Sequence, residues 1–137
     1  MTMSREERHA RNGPVMEQLR ANGGRDPERT LLILTTKGAK TGNPFSTPLA
    51  YQQDGDRYLV FASAAGAPKH PDWYRNLVAN PEVTVEVLGE TFQARATTLE
   101  GEERDHFYAK QAEASPAFGD YEKRTTRVIP VVALERI

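Results

Sequence analysis

Apolar positions along the chain come in short runs separated by turn residues, and the period of those runs changes along its length. Leu31-Leu32-Ile33-Leu34-Thr35-Thr36 is continuous, apolar and partly β-branched, which predicts a strand buried on both faces. Residues 45–51 predict a second strand and 57–63 a third, joined by the Asp54-Gly55-Asp56 hairpin signal. A further hairpin is expected where Val83 to Leu88 and Thr91 to Thr97 flank Gly89-Glu90, and Val128 to Leu134 predicts a closing strand.

Helical patterns occupy the intervals. Ser4 and Glu7 form a Ser-x-x-Glu capping box, and Val15, Met16 and Leu19 give the helix that follows one modest apolar face; Gly13-Pro14 is expected to interrupt it and Gly23-Gly24 to end it. That face either packs on a barrel, covers a pocket or touches a membrane surface. Pro71 at a first helical position and Asp72 in the first turn predict a short helix ending near Asn80-Pro81. Glu100 to Glu113 predicts a solvated helix with one buried edge at Phe107. Six or so strands with turn-rich connections and short flanking helices indicate a mainly β (α+β) domain of barrel type, residues 26–137, preceded by an N-terminal helical segment, residues 1–25.

The composition narrows the chemistry. At 137 residues one core is expected, and with 18 Lys+Arg against 19 Asp+Glu the net charge is −1, so the whole-molecule field does not favour nucleic acid and any anion needs a local cluster. The absence of cysteine excludes a disulfide framework, a thiolate nucleophile and a Cys-ligated metal, which leaves redox chemistry to an organic cofactor. The histidines do not show metal spacing, and no serine has the Gly-x-Ser-x-Gly context of a nucleophile elbow. A charged N-terminus and the lack of a long apolar run predict a cytoplasmic protein with no transmembrane segment.

Three elements carry candidate chemistry. Gly38-Ala39-Lys40-Thr41-Gly42 can turn amide N–H groups and Lys40 toward one anion; a β-turn using glycine for its left-handed positions reads the same way. Ala62-Ser63-Ala64-Ala65-Gly66 lets a flat ring approach the backbone, while Ser63 equally suits a serine that ends a strand by bonding local backbone. Trp73 and Leu77 share a helix face, so Trp73 is either core or a shelf for a ring, and Asn76, a polar amide within a packed helix, needs a partner.

In sequence order, the Gly-x-Lys-Thr-Gly turn, the small-residue loop at Ser63, the Pro-x-Trp-Tyr-x-Asn-Leu segment and Ile129-Pro130-Val131-Val132 resemble the deazaflavin-dependent nitroreductase family, actinobacterial F420H2-dependent reductases. The resemblance runs from about Thr30 to the C-terminus. It implies a split β-barrel of the FMN-binding kind and coenzyme F420, an 8-hydroxy-5-deazaflavin, as cofactor. It implies hydride transfer to an electron-poor small molecule such as a quinone, a nitroaromatic or an unsaturated lactone. By the resemblance, Gly38, Lys40, Thr41, Thr47, Pro48 and Leu49 bind the phosphate and glutamate-bearing tail, with Lys69 a further cation nearby. Ala62, Ser63, Ala64, Ala65, Gly66, Trp73 and Asn76 lie by the ring, and Ser63 lies near the reacting carbon. Phe118 and Tyr121 fall where aromatic residues wall the family's substrate pocket; Tyr121 either donates a proton or is a surface aromatic on a connecting loop. Ala39, Phe45 and Ala64 replace basic residues common in the family, and Lys37, Lys69 and Arg75 stand close enough to compensate. The missing cations give flavin mononucleotide, with one phosphate and no glutamate tail, as the alternative cofactor, and a noncatalytic binding barrel as a second alternative. Both a monomer and a dimer fit this reading.

Overall fold

The computed structural model describes the backbone of residues 5–137 and the side chains of residues 11–137; the Ser4/Glu7 capping box and His9 lie outside the described side chains. Six strands close into a barrel in the order β1-β2-β3-β6-β5-β4, every adjacent pair antiparallel. They are β1 (Leu31–Lys37), β2 (Pro44–Asp54), β3 (Arg57–Phe61), β4 (Glu82–Val87), β5 (Glu90–Thr98) and β6 (Val131–Arg136). Around them lie α1 (Arg5–Ala21), α2 (Asp72–Ala79), α3 (Gly101–Ala114) and α4 (Pro116–Arg124).

Side-chain alternation sorts the strands' apolar residues into layers. Leu32 and Leu34 of β1 point inward with Val60, Val85, Val132 and Leu134, and Trp73 and Leu77 of α2 join that interior cluster. Leu31 and Ile33 point outward and are covered by Val15, Met16 and Leu19 of α1. Leu59, Phe61, Val131 and Ala133 face outward on the opposite wall, under Phe107 and Tyr108 of α3 and Phe118 and Tyr121 of α4. Both-face burial of β1 follows from its place between the barrel interior and α1, and that packing is the role α1 takes.

Several boundaries differ from expectation. α1 runs through Gly13-Pro14 without a break, because the following turns are held by contacts of Val15, Met16 and Leu19 with Leu31, Ile33 and Ala50, which outweigh the N–H donor that proline lacks. The helix does end at Gly23-Gly24, where the Gly24 N–H reaches Leu19 O at 2.8 Å and the Gly23 N–H reaches Arg20 O at 3.3 Å, a Schellman pair. Pro71 precedes α2 with extended backbone (ψ 154) and is its cap, not its first turn. The β4–β5 turn is Leu88-Gly89, since Val87 pairs with Glu90. The last strand begins at Val131, and the two carbonyls before it are bonded outside the strand ladder: Arg104 of α3 holds Ile129 O and the Ala62 N–H holds Pro130 O. Phe118 and Tyr121 lie on α4, with Pro116 at its start, and Tyr108 Oη donates to Phe118 O at 2.6 Å, pinning the helix to α3.

Candidate functional site

One mismatch of strand lengths leaves a strand edge open beside the candidate residues. β2 pairs with β1 over Pro44 to Ala50 but with β3 only from Tyr51 to Asp54, so among the described residues the stretch Pro44–Ala50 has no strand along its second edge. At ~3.3 Å per residue that open stretch is about 23 Å long. β1 and β3 both run antiparallel to β2 and hence parallel to each other, so the turn after β1 and the loop after β3 project toward the same end of the barrel. The Gly38–Gly42 turn therefore stands at the far end of the open edge, the Ser63–Gly66 loop follows β3 beyond the Tyr51–Val60 pair at its near end, and Thr47, Pro48 and Leu49 lie between. Along β2 the side chains alternate: Leu49 packs on the interior cluster and Thr47, opposite Leu34, shares its face, while Pro48, opposite Ile33, takes the other.

In the first turn most amides are committed. The Gly38 N–H donates to Asn43 O (2.7 Å), Gly42 to Gly38 O (2.9 Å), Ala39 to Asn76 Oδ1 (3.0 Å) and Asn43 to Thr41 Oγ1 (3.2 Å). Those of Lys40 and Thr41 have no partner among the described residues and, with the exposed Lys40 side chain, are the groups left for an anion. Gly42 is left-handed (φ 74), as a glycine turn requires. Gly38 is not; it is glycine for space, since a Cβ there would lie 2.8 Å from Thr41 Oγ1 and 3.1 Å from the Phe45 ring.

The second loop is strained. Ala64 (φ 47), Ala65 (φ 54) and Gly66 (φ 81) are consecutively left-handed, which for the two alanines costs about 1–3 kcal/mol each. Gly66 N–H bonds Ser63 O and Ala67 N–H bonds Ala64 O, whereas the N–H groups of Ser63, Ala64 and Ala65 have no partner among the described residues. Ser63 is only 8% exposed, yet its hydroxyl does not cap the turn. The strand-ending role for this serine is thereby removed, and Oγ is left for another partner.

Trp73 packs in the interior core with Leu77. Asn76, 7% exposed, spends its amide inside the protein: Oδ1 accepts from Ala39 N–H and Nδ2 donates to Thr36 Oγ1 (3.2 Å). It thus supports the glycine turn from below. Lys69 is exposed beyond the second loop. Gly66 abuts α4, where a Cβ would meet Tyr121 O and Arg124 Cβ at 2.9 Å, so Tyr121 is carried on the element touching the loop that carries Ser63. Phe118 stacks edge-on against Phe61 (5.7 Å between centroids) and Tyr121 (5.3 Å), filling the outer wall of the barrel. Burial is the main cause that pushes the Tyr108 hydroxyl beneath them up to about 12.

Two residues at this site escaped sequence reading. Arg127 donates from Nε to Ala67 O (2.9 Å), from Nη1 to Ala62 O (3.1 Å) and from Nη2 to Ser63 O (2.7 Å), and its Nη1 lies 2.9 Å from Nδ1 of His70. Nothing in Arg124-Thr125-Thr126-Arg127 distinguishes the second arginine from the first, because its partners lie some sixty positions upstream. A cleft of about 540 Å³ lined by Asn22, Arg25, Arg29, Leu31 and Tyr51 lies at the opposite end of β1 from the glycine turn and takes no part in this arrangement.

Residues 7–136 match the family described as F420H(2)-dependent quinone reductase. The F420H(2)-dependent quinone reductase of Mycobacterium tuberculosis is 41% identical over 108 residues, 77% of this chain and 72% of that one. A solved F420-H2 dependent reductase (FDR-A) is 40% identical with a TM-score of 0.71, covering 78% of this chain and 95% of the other. A chain described as a domain-swapped dimer is 37% identical with a TM-score of 0.73, covering 90% and 92%.

Proposed function

The chain belongs to the F420H(2)-dependent quinone reductase family, an F420-dependent oxidoreductase on a split barrel, and from that membership we propose that it reduces a quinone or another electron-poor acceptor, a nitroaromatic or an unsaturated lactone, in the slot beside β2. One observation supports this reading: the open edge of β2 is bordered by two loops that each keep unpaired amides, Lys40 and Thr41 in one and Ser63, Ala64 and Ala65 in the other. An elongated cofactor with an anionic tail and a flat, hydrogen-bonding ring fits that spacing, the tail toward Lys40 and the ring toward Ser63. Bound reduced F420 supplies a hydride from its ring carbon.

The chain's own contribution is positional and electrostatic. Ser63 to Ala65 would orient the ring's polar edge through their amides, and the slot would bring the acceptor within about 3 to 3.5 Å of the donor carbon. Charge appearing on the acceptor oxygen is answered by the free Ser63 hydroxyl or by Tyr121 from α4, either of which can pass on the proton that completes the two-electron reduction. At the tail end Lys37 and Lys40 are both exposed, while Ala39 adds no charge there and Ala64 adds none to the second loop.

Titration of oxidised F420 and, in parallel, of flavin mononucleotide, read by fluorescence quenching, tests the cofactor assignment to the slot. Oxidation of F420H2 in the presence of a short-chain quinone, a nitroaromatic or an unsaturated lactone then tests the acceptor. F420 binding with no turnover of any acceptor would overturn the reductase reading in favour of a binding barrel.

A further inference from the structure

Arg127 lies outside every motif that pointed to the site, yet it makes more bonds to the Ser63 loop than the loop makes to itself. Three carbonyls converge on its guanidinium, those of Ala62, Ser63 and Ala67, and no carboxylate among the described residues pairs with it. A guanidinium only donates, so His70 Nδ1, 2.9 Å away, must accept; the imidazole is therefore neutral with its proton on Nε2.

Peptide geometry turns these bonds into an aiming device. Each peptide here is trans, so its C=O and the following N–H point in opposite directions. Holding Ala62 O on Arg127 directs the Ser63 N–H away from Arg127, and holding Ser63 O directs the Ala64 N–H the same way. These are two of the amides that have no partner.

We propose that Arg127, kept in place by neutral His70, is a positioning residue that aims the Ser63 and Ala64 amides at the polar edge of the bound cofactor ring. The inference rests on the reading of the slot as the F420 site. It predicts acid sensitivity. A second proton on His70 would set an N–H against Nη1 of Arg127 and one cation against another. Burial, then the charges of Arg127 and of Arg75, itself 3.9 Å from Asp72 on α2, already hold the His70 pKa below its ordinary 6.5. The Tyr74 ring packs against the same imidazole at 5.0 Å.

The test uses the full chain and oxidised F420. Arg127→Lys keeps a charge but cannot span three carbonyls, and is expected to raise the F420 Kd at least tenfold. Arg127→Ala is expected to bind weakly and to be rescued, at least in part, by tens of millimolar guanidinium. In the unaltered chain, affinity should fall as pH drops below the usual histidine range, and His70→Gln, whose amide oxygen can still accept from Arg127, should flatten that profile. A ligand-independent readout is the ¹⁵N spectrum of His70 in the free protein, which should show Nε2–H with Nδ1 as acceptor, and should lose that signature in Arg127→Lys. Equal F420 affinity of Arg127→Lys and the unaltered chain would sink the inference while leaving the F420 reading intact. So would weakened binding that tracks a lowered Tm with no guanidinium rescue, which would make Arg127 merely structural. Failure of the unaltered chain to bind F420 would sink both.

Discussion

Asn76 and Ala39, 37 positions apart, are joined by a 3.0 Å hydrogen bond from the Ala39 N–H to Asn76 Oδ1, while Asn76 Nδ2 bonds Thr36 Oγ1 at 3.2 Å. One buried amide thus ties the end of β1 and the glycine turn to α2, the helix that follows the Ser63 loop.

Replacing Asn76 by alanine leaves the Ala39 N–H and the Thr36 hydroxyl without their partner, which should cost about 1–3 kcal/mol of stability. Thermal melts should show Tm lowered by several degrees, together with weaker F420 binding. Asn76→Asp keeps an acceptor for Ala39 but sets a negative charge under the turn assigned to an anion, so its affinity should fall more than its Tm. Equal losses in the two variants would argue against an anion at that turn.

Lys40 is exposed, and the turn around it is held by backbone bonds that its side chain does not make. Lys40→Ala should therefore leave Tm unchanged and weaken F420 binding by about 1–3 kcal/mol, roughly five- to 150-fold, through loss of a charge-assisted contact. Fluorescence titration at two salt concentrations checks it; the difference between the two proteins should shrink at the higher one.

With a hydroxyl that bonds nothing in its own turn, Ser63→Ala should leave the fold intact. Turnover should drop more than cofactor affinity does if Oγ acts on the reacting centre. Steady-state kcat set beside the F420 Kd separates the outcomes, and a loss confined to Kd would reduce the serine to a ring contact.

Gly66→Ala meets two obstacles at once: a φ of +81 and a Cβ 2.9 Å from both Tyr121 O and Arg124 Cβ. A loss of about 1–3 kcal/mol is expected from the backbone conformation alone. Since relief requires α4 to move, turnover should fall with it, whereas Gly55→Ala, left-handed (φ 60) but in open space, should cost stability without changing turnover.

Tyr108 supplies an alkaline limit. Its folded pKa, raised from 10.0 to about 12 chiefly by burial, exceeds the unfolded value, so the unfolded chain releases this proton first as pH rises. The contribution is whole below about pH 10 and is lost between about 10 and 12, amounting to roughly 2–3 kcal/mol. Tm measured across that range should fall, and Tyr108→Phe, less stable at neutral pH for want of the Phe118 O bond, should fall less steeply.

By itself the sequence determined the strands, their alternation and the order of the site's elements. These depend on neighbours within a few positions: the Leu31–Thr36 run, the Asp54-Gly55-Asp56 turn, and glycines where φ must be positive. The family motifs were legible for the same reason, because each is a local cluster. The helix runs on through Pro14 because distant contacts of α1 on β1 override local preference, and Tyr108 on Phe118 fixes α4 in the same way. Tertiary structure alone decided that β2 outruns β3 and so leaves that edge open, that Trp73 is core, and that Asn76 and Arg127 bond loop backbone. Those outcomes are set by hydrogen bonds and packing between residues tens of positions apart, and no pattern within a short window of sequence carries the register that brings them together.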